Sequence, residues 1–238
     1  MRVVIQLLRS IVFTTLFFAL TGVFAILLIL SCWLPIARRQ ALAKTWGQLL
    51  LWLLAKLCGL THSVSGLENL PPGAHIAMWK HSSAWETIAQ VVVCPPQAWV
   101  LKREIMWIPL VGWAINFLRP IAINRSAGTS AVNKIVAQGK DRLASGAWVV
   151  IFPEGTRVPD GETRKYGLSG ALLASRAGCS VIPVAHNAGK FWPRRGWVKK
   201  PGTIQVVIGP PIEATGRDPR SINSDVQQWI EATLKNLN

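Results

Sequence analysis

The chain is expected to fold as an α/β protein, with a single mostly parallel sheet flanked by helices and an N-terminal membrane-bound helical arm. Three observations predict this. The first sixty residues contain two long apolar stretches. Beyond them, short runs rich in Val, Ile and Trp alternate with segments whose apolar residues recur at helical spacing, the pattern of strands joined by crossover helices. Finally, 238 residues, half of them apolar, suffice for one real core without disulfide staples.

The arm comes first. No charged residue and no histidine lies between Arg9 and Arg38, and residues 11–34 are nearly all Leu, Ile, Val, Phe and Ala. As a helix this stretch is about 36 Å long, enough to cross a hydrocarbon core of about 30 Å with some tilt. A cleaved signal peptide would have an apolar core of about 7–15 residues and a small-residue cleavage site. This stretch is longer and ends Ser31-Cys32-Trp33-Leu34-Pro35, which favours a retained anchor. Pro35 ends the first helix. A second apolar stretch, residues 41–60, carries Lys44 and Lys56, with Trp46 and Trp52 suited to the headgroup level. It either spans, re-enters or lies in the interface. Basic residues flank both sides of the first stretch, so charge does not orient it; a hairpin returning both ends to the cytoplasmic face fits. The expected division is 1–62 as membrane-anchoring helical segments and 63–238 as the α/β domain.

Within that domain, strands are expected at 75–79, 98–102, 120–124, 148–152, 181–185 and 203–208. Helices are expected at 84–93, 109–118, 129–144, 168–177 and 221–236. The last helix presents Ile222, Val226, Trp229, Ile230 and Leu234 on one face.

Charge narrows the function. Twenty-six basic residues against eleven acidic give a net charge of +15, and such a surface seeks anions. Nucleic acid is set aside, because no zinc finger, RRM or clear helix-turn-helix signature occurs and the anchor points to a bilayer. Cys32, Cys58, Cys94 and Cys179 lie far apart without a CxxC pair, and nothing resembles a complete ligand set, so no metal is expected.

The chemistry-bearing residues sit at expected strand ends. The first group is Lys80-His81-Ser82-Ser83-Ala84-Trp85-Glu86. It offers a histidine with a carboxylate in reach, the construction of a general base. It equally offers a plain S-x-x-E capping box at Ser83 and Glu86. The second is Phe152-Pro153-Glu154-Gly155-Thr156-Arg157. Such a turn supplies backbone donors, a hydroxyl and a bidentate guanidinium for a phosphate, or is an ordinary polar loop. Lys102, Arg103, Arg125 and Lys165 are scattered cations near loop ends. Residues 191–200 combine Phe191, Trp192 and Trp197 with four cations: a headgroup contact, a landing site for an acidic carrier protein, or a solvated hairpin tip. A serine nucleophile at Ser82 or Ser83 is disfavoured by the absence of a G-x-S-x-G elbow. His62, His75 and His186 are read as structural.

Taken together, these blocks resemble the glycerophospholipid acyltransferase family, in particular the 1-acylglycerol-3-phosphate acyltransferases. The family's H-x4-D signature is matched by His81 and Glu86, a second block ending in Arg by residues 112–125, the P-E-G-T-R block by residues 152–157, and a V-P-V-like block by residues 181–184. Order and spacing agree over roughly residues 65–212. Glu86 replaces the usual Asp and adds a methylene; Val158 stands where Ser or Asn is common.

The resemblance implies a glycerol-3-phosphate acyltransferase-like fold. It implies acyl transfer from a thioester of acyl carrier protein or coenzyme A to the sn-2 hydroxyl of lysophosphatidic acid, giving phosphatidic acid, with no other cofactor. His81 is then the base and Glu86 its orienter. Arg157 binds the acceptor phosphate with Lys102, Arg125 and Lys165 in support, while Glu154, Gly155 and Thr156 shape the acceptor loop. Backbone amides near Ser82 or Gly155 are candidate oxyanion donors. The implied location is a membrane, the bacterial inner membrane, with the domain facing the cytoplasm. A different lyso-lipid acceptor, such as a lyso-ornithine lipid, or a membrane thioesterase or lysophospholipase are the alternatives.

Overall fold

A computed structural model describes residues 2–237. Its centre is a seven-stranded sheet formed by β1 (Leu60–Ser65), β2 (Ile76–Trp79), β3 (Gln97–Lys102), β4 (Ile121–Ile123), β5 (Trp148–Ile151), β6 (Val181–His186) and β7 (Gly202–Ile208). The spatial order is β1-β7-β6-β2-β5-β3-β4. Every pairing is parallel except β6 with β7.

The helices are α1 (Arg2–Leu30), α2 (Ile36–Cys58), α3 (Trp85–Val93), α4 (Val111–Asn116), α5 (Thr129–Ala144), α6 (Ser169–Ala177), α7 (Ala188–Phe191) and α8 (Pro219–Asn236). The expected elements of the α/β domain are therefore present, most with ends moved by a residue or two. The largest trim is the 109–118 helix, which shortens to six residues. Leu110 just before it sits at φ 64, outside the helical region, and Phe117 caps its end.

The strand β1 was not anticipated. Residues 60–65 follow the second apolar stretch directly, and only Leu60 of the strand is buried, so no apolar run marks it. The division drawn between 62 and 63 falls inside this strand.

Alternation along β2 explains the two cores. Ala77 and Trp79 face one layer, containing Leu50, Leu54 and Cys58 of α2 and Trp85 and Ile88 of α3. Ile76 and Met78 face the other, with Ile135 and Val136 of α5, Leu173 and Ala174 of α6, and Ile222, Val226 and Ile230 of α8. Both faces are covered, as a parallel sheet requires. Because β2 pairs with both β5 and β6, the loops leaving these strands meet at one edge. Ligand sites of open α/β sheets form at that carboxyl edge.

The arm does not dangle. Helix α1 is long and apolar enough to cross a membrane by length and composition, yet one stripe of it is joined to the domain along its length. Near its start, Gln6 donates to the carbonyls of Cys58 and Lys199 at 2.9 and 2.6 Å. Ser10 Oγ accepts from Lys199 N–H at 3.0 Å, and Thr14 accepts from the Lys199 ammonium. That ammonium also lies 5.0 Å from the Trp192 ring centroid. Farther on, Phe13 is fully buried in the core beneath the sheet, and Ala25 and Leu28 pack with Ala114 and Leu118 around α4. The 191–200 loop is thus pinned to α1 at its Lys199 end, while Trp197 remains 74 % exposed.

This packing yields a prediction. Phe13, Leu50 and Leu54 are each fully buried, and burial of each such side chain is worth about 1.5–3 kcal/mol. Together that is a large part of the 5–15 kcal/mol that typically holds a domain folded. A chain lacking residues 1–59 should therefore aggregate instead of leaving the membrane as a folded domain. Size-exclusion chromatography and thermal unfolding check this; a monodisperse fragment with a cooperative transition contradicts it.

Candidate active site

His81 is the first residue past the Lys80 that follows β2. Its Nδ1 lies 2.8 Å from Glu86 Oε1, a residue on the first turn of α3. The same oxygen accepts the backbone N–H groups of Ser82 at 3.0 Å and Ser83 at 2.8 Å. The histidine–carboxylate contact and the capping hydrogen bonds are therefore made by the same side chain. Glu86 closes the reciprocal half of a capping box, and in doing so its carboxylate is fixed where it orients the imidazole. Ser83 Oγ completes the helix start by accepting Trp85 N–H at 3.1 Å, and it donates to the Trp192 carbonyl at 2.6 Å. Glutamate in place of aspartate reaches His81 without difficulty at i+5.

Glu86 is fully buried. Burial alone would push its carboxyl up, but the hydrogen bond from His81, the nearby His186 and the Ser83 N–H outweigh it and hold the group below the usual carboxylate range. An ionised Glu86 accepts from Nδ1–H, which places the free lone pair of the neutral ring on Nε2. The imidazole is also stacked on Phe152 from the next loop, with centroids 4.2 Å apart and planes 19° from parallel. Carboxylate and ring together fix its plane.

His186, at the end of β6, is a participant that its sequence position hides. Its Nε2 donates to the Lys80 carbonyl at 2.9 Å and lies 3.9 Å from Glu86 Oε2. Its Nδ1 accepts Ala188 N–H at 3.3 Å. Burial lowers its pKa, and this bonding pattern belongs to the neutral ring. The pairing of β6 with β2 brings a residue 105 positions away against the His81–Glu86 pair.

Beneath the loop lies a buried ionic cluster. Lys80 is 3 % exposed. Its ammonium contacts Glu154 Oε1 at 3.2 Å, Glu231 Oε1 of α8 at 3.1 Å and the Glu162 carbonyl at 3.3 Å. Tyr166 donates to the same Glu231 oxygen at 3.1 Å. Glu154 Oε2 accepts His81 N–H at 3.2 Å, and Val158 N–H donates to the His81 carbonyl at 2.8 Å. Burial pushes the Glu154 carboxyl up to about 7, against the pull of Lys80. Glu154, expected among the acceptor-binding residues, thus has its carboxylate engaged in holding the His81 backbone.

The other expected residues divide between two cavities. One, of about 490 Å³, is lined by His81, Phe152, Thr156, Arg157, Lys102 and Arg125 at one end. It continues between Phe17, Phe24 and Leu28 of α1, Trp46 of α2, Val91 of α3 and Ile115 of α4. The second, of about 500 Å³, is lined by Arg125, Glu154, Gly155, Thr156 and Lys165. Arg125, Phe152 and Thr156 border both, and Arg125 donates to the Gly155 carbonyl. Lys165 therefore stands apart from His81, on the far side of the Gly155 turn. Lys102 lies 3.7 Å from Glu104.

Arg194, from the 191–200 loop, also lines the first cavity and donates to the Arg157 carbonyl at 3.2 Å. No motif marked it; only the fold brings it there. Of the candidate oxyanion donors, the amides of Ser82 and Gly155 themselves are engaged. Ser82 N–H is committed to Glu86, and Gly155 N–H to the Phe152 carbonyl at 3.0 Å. Among the described residues no group of three or more His, Cys, Asp or Glu side chains is placed to hold a metal.

The mostly parallel α/β sheet thus carries an oriented histidine at its carboxyl edge, beside an apolar cavity also lined by Lys102, Arg125, Arg157 and Arg194. Residues 62–187 match the family model described as Acyltransferase. A curated 1-acyl-sn-glycerol-3-phosphate acyltransferase of Pseudomonas aeruginosa is 43 % identical over 204 residues, covering 84 % of this chain and 79 % of that protein. The chloroplastic 1-acyl-sn-glycerol-3-phosphate acyltransferase LPAT1 of Arabidopsis thaliana is 26 % identical over 74 % of this chain, which spans 49 % of that longer protein. The crystal structure of the 1-acyl-sn-glycerophosphate acyltransferase PlsC from Thermotoga maritima superposes with a TM-score of 0.83 at 21 % identity, covering 99 % of this chain and 97 % of that one. The chain belongs to the acyltransferase family and is an acyltransferase of its 1-acyl-sn-glycerol-3-phosphate acyltransferase group.

Proposed function

We propose that this acyltransferase moves a fatty acyl group from a thioester of acyl carrier protein or coenzyme A to the sn-2 hydroxyl of 1-acylglycerol 3-phosphate, giving phosphatidic acid. The carrying observation is that His81, oriented by Glu86 at 2.8 Å, lines the same cavity as both the apolar α1–α4 walls and the Arg157 rim. An apolar cavity suits an acyl chain, since each buried methylene is worth about 0.8 kcal/mol. Arg157 suits a phosphate, because its guanidinium offers paired donors.

In this reading the acceptor hydroxyl gives its proton to His81 Nε2 as its oxygen attacks the thioester carbonyl. The C–O bond forms, the tetrahedral intermediate collapses, the C–S bond breaks, and the departing thiolate takes the proton from His81. Glu86 stabilises the imidazolium between these steps. A thioester is already activated, so no acyl-enzyme is needed. Ser83 Oγ is occupied with Trp85 N–H and the Trp192 carbonyl, which argues against Ser83 as a nucleophile. No cofactor beyond the acyl carrier is required. The apolar face of α1 supports residence in a membrane, read here as the bacterial inner membrane with the catalytic edge toward the cytoplasm.

The test is a radiolabelled acyl-transfer assay in mixed micelles, offering lysophosphatidic acid beside lyso-ornithine lipid and lysophosphatidylethanolamine. Phosphatidic acid as the product supports the reading. Product on another acceptor alone moves the substrate, and free fatty acid alone makes the protein a hydrolase. In the same assay Arg157→Ala should raise the apparent KM for lysophosphatidic acid by roughly 10- to 100-fold, the equivalent of the 1.5–3 kcal/mol expected of a charge-assisted hydrogen bond. An unchanged KM removes Arg157 from phosphate binding.

A further inference from the structure

The segment between β3 and α4 exposes more apolar surface than its position needs. Trp107 is 62 % exposed, Ile108 48 % and Trp113 59 %, all within seven residues. The backbone builds this display. A 3-10 turn, Arg103–Trp107, runs into Pro109 and then Leu110, whose φ of 64 is a left-handed value costly for a leucine. Gly112 is also required: a Cβ there would come within 2.4 Å of the Met106 carbonyl oxygen. The turn is therefore tightly folded, with its tryptophans outside.

The inner side of this segment is occupied. Ile105, Val111 and Ile115 line the acyl-sized cavity, and Ala114 and Leu118 pack with Ala25 and Leu28 of α1. In the same stretch of α1, Ile26, Leu27 and Leu30 are also exposed. Cations accompany the tryptophans: the Arg103 guanidinium lies 5.3 Å from the Trp107 ring centroid, and Lys102 precedes it. Tryptophan with adjacent arginine is the composition of the bilayer interface, where the ring sits at headgroup level and the cation meets anionic lipid.

From this geometry we propose that residues 103–113 form a second membrane contact, carried by the catalytic domain itself and distinct from the helical arm. Its partner is the headgroup region of an anionic phospholipid bilayer. The contact seats one wall of the cavity against the membrane, so the arm alone does not set how the site faces the lipid.

The experiment uses the full chain in phosphatidylethanolamine–phosphatidylglycerol vesicles. In a Cys32→Ser, Cys179→Ser background, which leaves the buried Cys58 and Cys94, Trp107→Cys and Trp113→Cys are labelled separately with an environment-sensitive fluorophore, with Lys235→Cys on α8 as the solvent reference. We expect blue-shifted emission at 107 and 113, quenched by spin-labelled lipid, and water-like emission at 235. Emission at 107 and 113 equal to that at 235 overturns the proposal. So does a shift that appears only on adding acyl carrier protein, which would reassign the patch to a protein partner. The readout is position, not turnover, so its outcome is separate from that of the acyl-transfer reading.

Discussion

His81→Ala should lower turnover by about 10²–10⁴-fold while leaving the chain folded, the range by which a positioned base accelerates such a step. The imidazole is partly a lining group, 8 % exposed, and its loss removes a stacking partner of Phe152 but no backbone bond. The backbone N–H that reaches Glu154 and the carbonyl that receives Val158 N–H both survive the substitution. Stability should therefore change far less than rate. Residual activity stays above background because the cavity still aligns acceptor and thioester, and positioning alone is worth several kcal/mol. Measured by single-turnover kinetics with a matched melting curve, near-normal turnover removes His81 as the base. Glu86→Gln separates the roles further. An amide keeps an oxygen for the Ser82 and Ser83 N–H groups but cannot stabilise an imidazolium, so the rate falls while the start of α3 persists.

The alternation of strands and helices made most of the sheet legible before any coordinates, because both faces of a parallel sheet are buried and its strands read as apolar runs. Trp148–Ile151 is such a run, and all four of its residues are buried. β1 escaped for the converse reason. It is an edge strand exposed at alternate positions, and its polar run Thr61-His62-Ser63 reads as a loop.

The site divided along a similar line. His81, Glu86 and Arg157 were visible because they lie within a few residues of strand ends in recurring local patterns. His186, Arg194 and Glu231 were not, because what unites them with His81 is sheet order and the return of α8, and neither leaves a spacing in the sequence. Glu154 was visible for the wrong reason. Its neighbours face the cavities, but its own carboxylate turns to Lys80 and to the His81 backbone. The sequence alone also divides the arm, 1–62, from the α/β domain. Hydropathy records that α1 is apolar, and does not record that Gln6, Ser10 and Thr14 recur on one stripe to meet Cys58 and Lys199.

The second large effect is expected at Lys80, which itself lines neither cavity. Lys80→Met removes the only cation of the buried cluster and leaves Glu154 and Glu231 facing one another's charge. Breaking a buried ion pair from one side costs about 3–5 kcal/mol, a large fraction of ordinary domain stability. The cost must depend on pH, and its sign follows from Glu154. Its folded pKa is already raised to about 7 from an ordinary 4.5, and losing Lys80 raises it further. A carboxyl that holds its proton in the folded chain but releases it when unfolded favours folding below the unfolded pKa. That contribution is lost as pH rises toward the folded value, at up to about 1.4 kcal/mol per pH unit. Because Glu154 already holds its proton below about 7 with Lys80 in place, the Lys80→Met penalty should be nearly flat from pH 5 to 7 and grow above 7, by up to about 1.4 kcal/mol at pH 8. Adding Glu154→Gln should recover much of that added loss at pH 8 and little at pH 5, a coupling that a double-mutant cycle of denaturation midpoints reads directly. A Lys80→Met penalty that is the same at both pH values would show that Glu154 does not bear the charge this cluster neutralises.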